Sequence, residues 1–184
     1  MLSSSELRTP FKKIIFSPCV IAACSSSYTY SFIMSSTLAY LPVFNYQILG
    51  LGPLSNSVAS TLPFLAHACV ISALYASVMF LKNRGISATT TVKAFSCIGT
   101  SGLSLCLIVL LITNISQAVL LTLVQSIGLG LLSFISLSCT LCATTVAPQF
   151  TIFVFSYMEV YAQLAGIFSP VVMQMLSIKV SVQH

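Results

Sequence analysis

Charged side chains are nearly absent from this sequence. They make up 5% of its 184 residues, whereas about a quarter is usual in soluble domains. No Asp, Glu, Lys or Arg occurs from residue 14 to residue 81, or from residue 94 to residue 158. A water-soluble fold of this size could not build a polar surface from so few charges, so the composition excludes a soluble globular protein.

Acidic residues and clusters of reactive side chains are also scarce. The sequence contains two acidic residues and two histidines, and it offers no nucleophile–base pair, metal-ligand cluster or phosphate-binding loop. All seven cysteines lie in apolar runs, where cysteine packs as a small hydrophobic residue. Cys139 and Cys142 have redox or zinc spacing, but no second pair accompanies them. We therefore expect that the protein is not an enzyme and that it binds no metal and no cofactor.

Long apolar runs take the place of the missing charges. The run from Leu62 to Leu81 has no charge, and about 20 such residues span a hydrocarbon core of roughly 30 Å. Lys82, Arg84 and Lys93 then cluster in one connection, which the positive-inside rule assigns to the cytoplasm. The net charge of +5 is explained by such juxtamembrane clusters. The expected partner is a lipid bilayer, not a nucleic acid.

The pattern as a whole predicts an all-α, multi-pass transmembrane bundle of about five helices. Residues 1–13 are expected to be a cytoplasmic segment, residues 14–177 the membrane domain and residues 178–184 a short tail. The expected spans are Ile15–Leu41, Ser60–Leu81, Lys93–Thr113, Gln117–Ala143 and Ile152–Leu176. A signal peptide ending near Cys24 is disfavoured because the apolar character continues to Pro42. The plasma membrane and a vesicular or lysosomal membrane both stay open.

Small residues in the third and fourth spans predict close helix packing. Gly99 and Gly102 would let a neighbouring helix approach the third span. Ser126, Gly130 and Ser133 form a stripe on one face of the fourth span, for which packing is the default interpretation.

Polar side chains in the first and second spans are the first candidates for a site. Ser27, Ser31 and Ser35 recur every four residues, with Tyr30 beside them, so the stripe should face protein or a water-filled path. The serines could serve helix packing or line a transport path, and both roles stay open. For Tyr30 a place along a path is slightly favoured. His67 could relay protons, although a hydrogen-bonded packing role is more common for such a residue.

The fifth span holds the intramembrane acid of this sequence. Glu159 shares one helix face with Gln163, Gly166, Pro170 and Gln174. A carboxylate within the membrane costs several kcal/mol unless it is paired, protonated or wetted, so such residues usually mark an ion or proton pathway. The alternative is a position near the interface, where water hydrates the carboxylate.

Several segments together resemble a family of transporters. They are Thr9–Lys13, Ser17–Pro18, Tyr40–Phe44, Ser60–Phe64, Ile86–Phe95, Ala147–Phe150, Ala165–Gly166 and Ser169–Pro170. In order and spacing they are similar to the C-terminal half of major facilitator superfamily transporters. The resemblance is to the anion:cation symporters, which include sialin, the vesicular glutamate transporters and the sodium-phosphate cotransporters.

This resemblance implies a fold and a function. The five spans would correspond to helices seven to eleven of a twelve-helix transporter, without helices one to six and twelve. Such a partial symporter would carry a small organic or inorganic anion with sodium or protons. Tyr30, Ser31 and His67 would lie along the path, and Glu159 and Gln163 would couple the ion.

The sequence also departs from this family. The arginine that glutamate-transporting members carry in helix seven has no counterpart, and the acid before the "AP" turn is absent from Cys142–Pro148. Glutamate is therefore a doubtful substrate. The alternative function is a non-transporting membrane protein that binds or modulates a full-length relative.

Overall fold

Five long helices make up most of the part of the protein that the structure describes. The computed structural model describes residues 15–113, 117–146 and 148–182, and the side chains among these up to residue 175. The helices are α1 (Pro18–Gln47), α2 (Pro53–Asn83), α3 (Ala88–Ile112), α4 (Ala118–Val146) and α5 (Thr151–Val182). A 3₁₀ turn, Pro148–Phe150, precedes α5. The predicted cytoplasmic segment, residues 1–13, lies outside the described residues.

The predicted fold class is confirmed: the protein is an integral, multi-pass helical bundle. Four segments of the described residues are long and apolar enough to cross a membrane: Pro53–Asn83, Ala88–Ile112, Ala118–Val146 and Pro148–Met175. Leu111 and Ile152 are more than four-fifths exposed, as lipid-facing side chains are. The first helix is equally long, but its serines and tyrosines make it less apolar than these four.

The connection between α1 and α2 is much shorter than the sequence indicates. We expected a loop from Pro42 to Ser57, but α1 continues through Pro42 to Gln47 and α2 already begins at Pro53. The expectation was wrong because Pro42 removes only one backbone donor, while helical backbone stays preferable wherever water is scarce. The turn comes at Gly50, whose positive φ of 61° suits glycine. Pro53 then occupies the first turn of α2, where a missing N–H costs nothing.

The other helix ends also differ from the expected bounds; α4, for example, ends at Val146 instead of Ala143. α3 begins five residues earlier than predicted, because Ser87 accepts a hydrogen bond from the backbone N–H of Thr90 and caps the helix. α5 extends past Leu176 to Val182, so its backbone includes part of the predicted tail.

The fourth helix is the centre of the bundle. It has the largest share of buried residues among the four apolar spans, and α1, α2 and α3 all pack against it. α5 packs mainly along α1. Close approach at Gly99 and Gly102 is confirmed, since a Cβ on either would lie within 3 Å of a side chain of α4. The small-residue stripe of α4 likewise faces α2, where Gly130 lies against Val70.

Candidate functional site

His67 lies near the middle of α2 and joins three helices. It is about 21 Å along the axis from Pro53 and about 24 Å from Asn83, at 1.5 Å per residue, and its side chain is 8% exposed. Its Nδ1 atom lies 3.0 Å from the carbonyl oxygen of Leu129 and 2.7 Å from the Ser133 hydroxyl, both on α4. Its Nε2 atom lies 3.3 Å from the hydroxyl of Tyr30 on α1.

These partners determine which nitrogen of the neutral His67 ring carries the proton. The Leu129 carbonyl oxygen can only accept, so Nδ1 must be the donor. The Ser133 hydroxyl is then free to donate to the backbone carbonyl of His67, at 3.1 Å. Nε2 is left as an acceptor for the Tyr30 hydroxyl. Both nitrogens of the neutral ring therefore have a hydrogen-bond partner. The Tyr30 hydroxyl is directly bonded to Nε2, so it would have to change from donor to acceptor if Nε2 carried a proton.

Tyr30 also borders a small polar cavity that reaches Glu159. The cavity has a volume of about 120 Å³, and we call it the midplane cavity. Its lining comes from α1, α4 and α5: Ser27, Tyr30, Ser31, Ser136, Cys139, Thr140, Phe155, Met158, Glu159 and Ala162. Tyr30 thus contacts His67 on one side and lines the cavity of Glu159 on the other. The volume suffices for several water molecules or a small ion.

Glu159 and Gln163 form a pair on the exposed side of this cavity. The amide nitrogen of Gln163 donates to the Glu159 carboxylate at 3.2 Å, as side chains four residues apart on a helix can do. Both also line a shallow, exposed groove on α5. The described basic side chains do not all lie in one connection as expected: Lys82 is in the last turn of α2, Arg84 follows that helix, and Lys93 is already inside α3. Among the described residues Glu159 therefore has no cationic partner.

The structure brings the five candidate side chains of the sequence together. Tyr30 contacts His67, Tyr30 and Ser31 share the midplane cavity with Glu159, and Gln163 binds Glu159. The rest of the predicted α5 face follows the edge of the α1–α5 contact. There, a Cβ at Gly166 would lie 3.5 Å from the Ser35 hydroxyl, and the Tyr40 hydroxyl donates to the Pro170 carbonyl at 3.1 Å.

Sequence reasoning missed the contribution of α4 to this site. Ser133 was assigned to packing, yet its hydroxyl binds His67, and Ser136 of the midplane cavity was not singled out. The small-residue stripe was a signal for the first, since a serine in such a stripe can pack and hydrogen-bond at once. The role of the Leu129 carbonyl could not be predicted, because every residue has a backbone carbonyl and the sequence does not show which one His67 contacts.

The combined site is rich in oxygen and exchangeable protons. Hydroxyls, an imidazole and a carboxylate can pass a proton between them, and the same oxygen atoms could surround a small cation. The described residues that line the midplane cavity include no lysine or arginine.

Comparisons with known proteins point to transport. No protein-family model matches the chain. It is 29% identical over 169 residues to a Drosophila ananassae protein named "Putative inorganic phosphate cotransporter", over 88% of this chain and 34% of that protein. A Drosophila melanogaster protein of the same name is also 29% identical, over 31% of its length. The chain thus spans about a third of the length of these relatives, which are named as transporters and not as enzymes.

Proposed function

We propose that this chain is the helix seven-to-eleven part of an anion:cation symporter of the major facilitator type. The similarity to proteins named as inorganic phosphate cotransporters makes inorganic phosphate the first anion to test. The observation that carries the proposal is the meeting of Tyr30, His67 and Glu159 near the middle of the bundle. Polar and ionisable residues at that depth are costly, and they typically mark transport paths.

In this proposal the two ends of the site have different roles. Glu159, held by Gln163 and open to the midplane cavity, binds the coupling ion, either a proton or sodium. Tyr30 and Ser31 line the path, and His67 links the path to α4 through Ser133. The anion is held between this surface and the other half of the transporter, which supplies positive charge.

The test is uptake of radiolabelled phosphate by membranes in which the chain is present in its native assembly. Glu159→Gln keeps the shape of the side chain but removes its charge, so uptake should lose its dependence on the pH or sodium gradient. Glu159→Asp, which restores a carboxylate, should recover part of that dependence. Ser72→Ala on the exposed face of α2, where the hydroxyl binds only the Ala68 carbonyl of its own helix, is the control.

Three outcomes are distinguishable if surface abundance is equal. Loss of gradient dependence in Glu159→Gln alone supports the proposal, and the gradient that matters identifies the ion. Unchanged uptake and unchanged gradient dependence remove Glu159 from the mechanism. Uptake that persists without this chain, together with co-purification of the chain and a longer transporter, would favour the alternative of a non-transporting, modulating protein.

A further inference from the structure

Four of the seven cysteines lie where the beginning of α1 packs against the end of α4. Cys19 and Cys24 belong to α1, and Cys139 and Cys142 belong to α4. The Sγ atom of Cys139 lies 3.9 Å from the carbonyl oxygen of Ala23. The Sγ atom of Cys142 lies 4.0 Å from the carbonyl oxygen of Cys19. Cys24 and Cys139 share one buried cluster, and Cys142 packs against it. We call the four cysteines the thiol cluster.

Exposure divides the thiol cluster into two pairs. Cys24 is 4% exposed and Cys139 is 7% exposed, so the protein closes both off from small molecules. Cys19 is exposed, and Cys142 is partly exposed. A thiol can be oxidised to a disulfide only if the oxidant reaches it and a second thiol lies nearby. Cys19 and Cys142 are therefore the members of the cluster that can react.

The contact between Cys19 and Cys142 joins two helices. α1 and α4 are antiparallel here, because residue 19 contacts residue 142 while residue 23 contacts residue 139. The Cys142 thiol points at the backbone of Cys19, whose exposed side chain can turn toward it by changing rotamer. The Cys-x-x-Cys spacing of α4 thus places its two thiols against different residues of α1. Among the described residues, no three Cys, His, Asp or Glu side chains are arranged to hold a metal ion.

We propose that Cys19 and Cys142 are a redox-active pair, which a hydroperoxide oxidises to a disulfide between α1 and α4. With the predicted orientation, these helix ends lie on the cytoplasmic side, where glutathione and thioredoxin keep thiols reduced. The pair is therefore reduced at rest, and the disulfide forms when hydroperoxide is present. Cys24 and Cys139 stay reduced because they are buried. The proposal does not depend on the proposed transport function.

The oxidation takes two steps. The thiolate of the exposed Cys19 attacks hydrogen peroxide, its S–O bond forms as the O–O bond breaks, and the released hydroxide takes up a proton to give water. Cys19 is then a sulfenic acid, oxidised by two electrons. The Cys142 sulfur loses its proton and attacks the Cys19 sulfur, so that the S–S bond forms, the S–O bond breaks and hydroxide leaves with that proton as a second water. Two thiols and one peroxide thus give one disulfide and two waters, and glutathione reverses the change by thiol–disulfide exchange.

The disulfide joins two walls of the midplane cavity. Ser27 of α1 and Cys139 of α4 line that cavity. At 1.5 Å per residue, Cys142 lies about 4.5 Å beyond Cys139 along α4, and Cys19 lies about 12 Å before Ser27 along α1. The link is therefore between the cavity and the predicted cytoplasmic surface. In the oxidised protein α1 cannot move away from α4 at this place.

The test is oxidation of the protein in the membranes of the cells that make it. The membranes are treated with hydrogen peroxide, dissolved in denaturing detergent with N-ethylmaleimide, and digested without a reducing agent. Mass spectrometry then identifies the disulfide-linked peptides and the maleimide-labelled thiols. Cys19→Ser and Cys142→Ser each remove one partner. Cys97→Ser, at an exposed position of α3, is the matched control.

The expected result is a peptide pair linked through Cys19 and Cys142 of one chain, which appears after peroxide and disappears after dithiothreitol. Cys24 and Cys139 should carry maleimide throughout. Either serine variant of the pair should abolish the link, whereas Cys97→Ser should leave its yield unchanged.

Several results would overturn the proposal. They are the absence of any link, a link between Cys24 and Cys139, and a link that occurs only between two chains. Oxidation of Cys19 to a sulfonic acid while Cys142 still reacts with maleimide would also overturn it. A complete Cys19–Cys142 link in untreated membranes would contradict a pair that is reduced at rest. None of these outcomes depends on transport activity, so they leave the proposed function untouched.

Discussion

Two glycines at the contact between α3 and α4 provide a matched test of the packing. Gly99 of α3 faces α4, and Gly128 of α4 faces α3. A Cβ at Gly99 would lie 2.8 Å from Ile135 Cγ1 and 3.1 Å from the backbone nitrogen of Ile135. A Cβ at Gly128 would lie 3.6 Å from Cys106 Cβ and 3.9 Å from Leu103 Cδ1, which is ordinary van der Waals distance. The same Gly→Ala change should therefore destabilise the protein at position 99 but not at position 128.

The geometry sets the size of the difference. The Ile135 side chain could rotate away from an alanine at position 99, but its backbone nitrogen cannot, so α3 must move away from α4 by a few tenths of an ångström. Such overpacking typically costs about 1–3 kcal/mol. The higher helix propensity of alanine, up to about 1 kcal/mol, applies at both positions and cancels in the comparison. Gly128→Ala should be neutral or slightly stabilising.

The measurement is the free energy of unfolding of each variant in lipid bicelles, followed by steric trapping or by denaturing detergent. We expect Gly99→Ala to be less stable than Gly128→Ala by about 1–3 kcal/mol. Equal stabilities would refute the reasoning, because they would mean that α3 and α4 do not cross at Gly99 as closely as described. A larger loss of stability for Gly128→Ala than for Gly99→Ala would mean that α3 and α4 approach most closely at Gly128 and not at Gly99.

Two further predictions concern His67 and the topology. His67→Ala should lower the free energy of unfolding by about 1–3 kcal/mol in the same assay, because it removes interhelical hydrogen bonds of about 0.6–1.7 kcal/mol each and buried packing. The control is Cys69→Ala, at an exposed position on the same helix, which should change the free energy of unfolding little. Equal losses for the two variants would contradict a special role for His67. In a background without the seven native cysteines, Asn83→Cys should react with a membrane-impermeant maleimide from the cytoplasmic side of sealed membranes, while Gln47→Cys should react only from the opposite side. The reverse pattern would invert the orientation.

The membrane-spanning segments could be predicted because charge is so informative in a bilayer. The connection between α2 and α3 was predicted from its charges alone; Lys82 lies in the last turn of α2 and Arg84 follows it. Helix ends were harder to predict. We expected the first span to end before Pro42, yet Pro42 lies inside α1. Proline and glycine often end helices in soluble proteins, where water can hydrogen-bond to the backbone groups that become free. In a bilayer no water is available to these groups, so the helix tends to continue.

The residues of the candidate site stand out in the sequence, but their arrangement does not. Each of Tyr30, His67 and Glu159 is conspicuous because a polar side chain is rare in an apolar run. Nothing in one sequence indicates that Tyr30 and His67, which lie 37 positions apart, share a hydrogen bond. The contact depends on how α1 and α2 each pack on α4, which is a property of three surfaces together.

The hydroxyls of α1 divide into two groups, and this bears on whether its polarity serves packing or a path. Hydroxyls such as those of Ser25 and Thr29 donate to the backbone carbonyl four residues earlier in α1, so they are satisfied within the helix and add little cost in a bilayer. Ser27 and Ser31 line the midplane cavity and make no such bond among the described residues. The first group explains how so polar a helix can be kept in a membrane. The second group shares the midplane cavity with Tyr30 and Glu159 and keeps its hydrogen-bonding capacity for that cavity, which favours a path at that level of the helix.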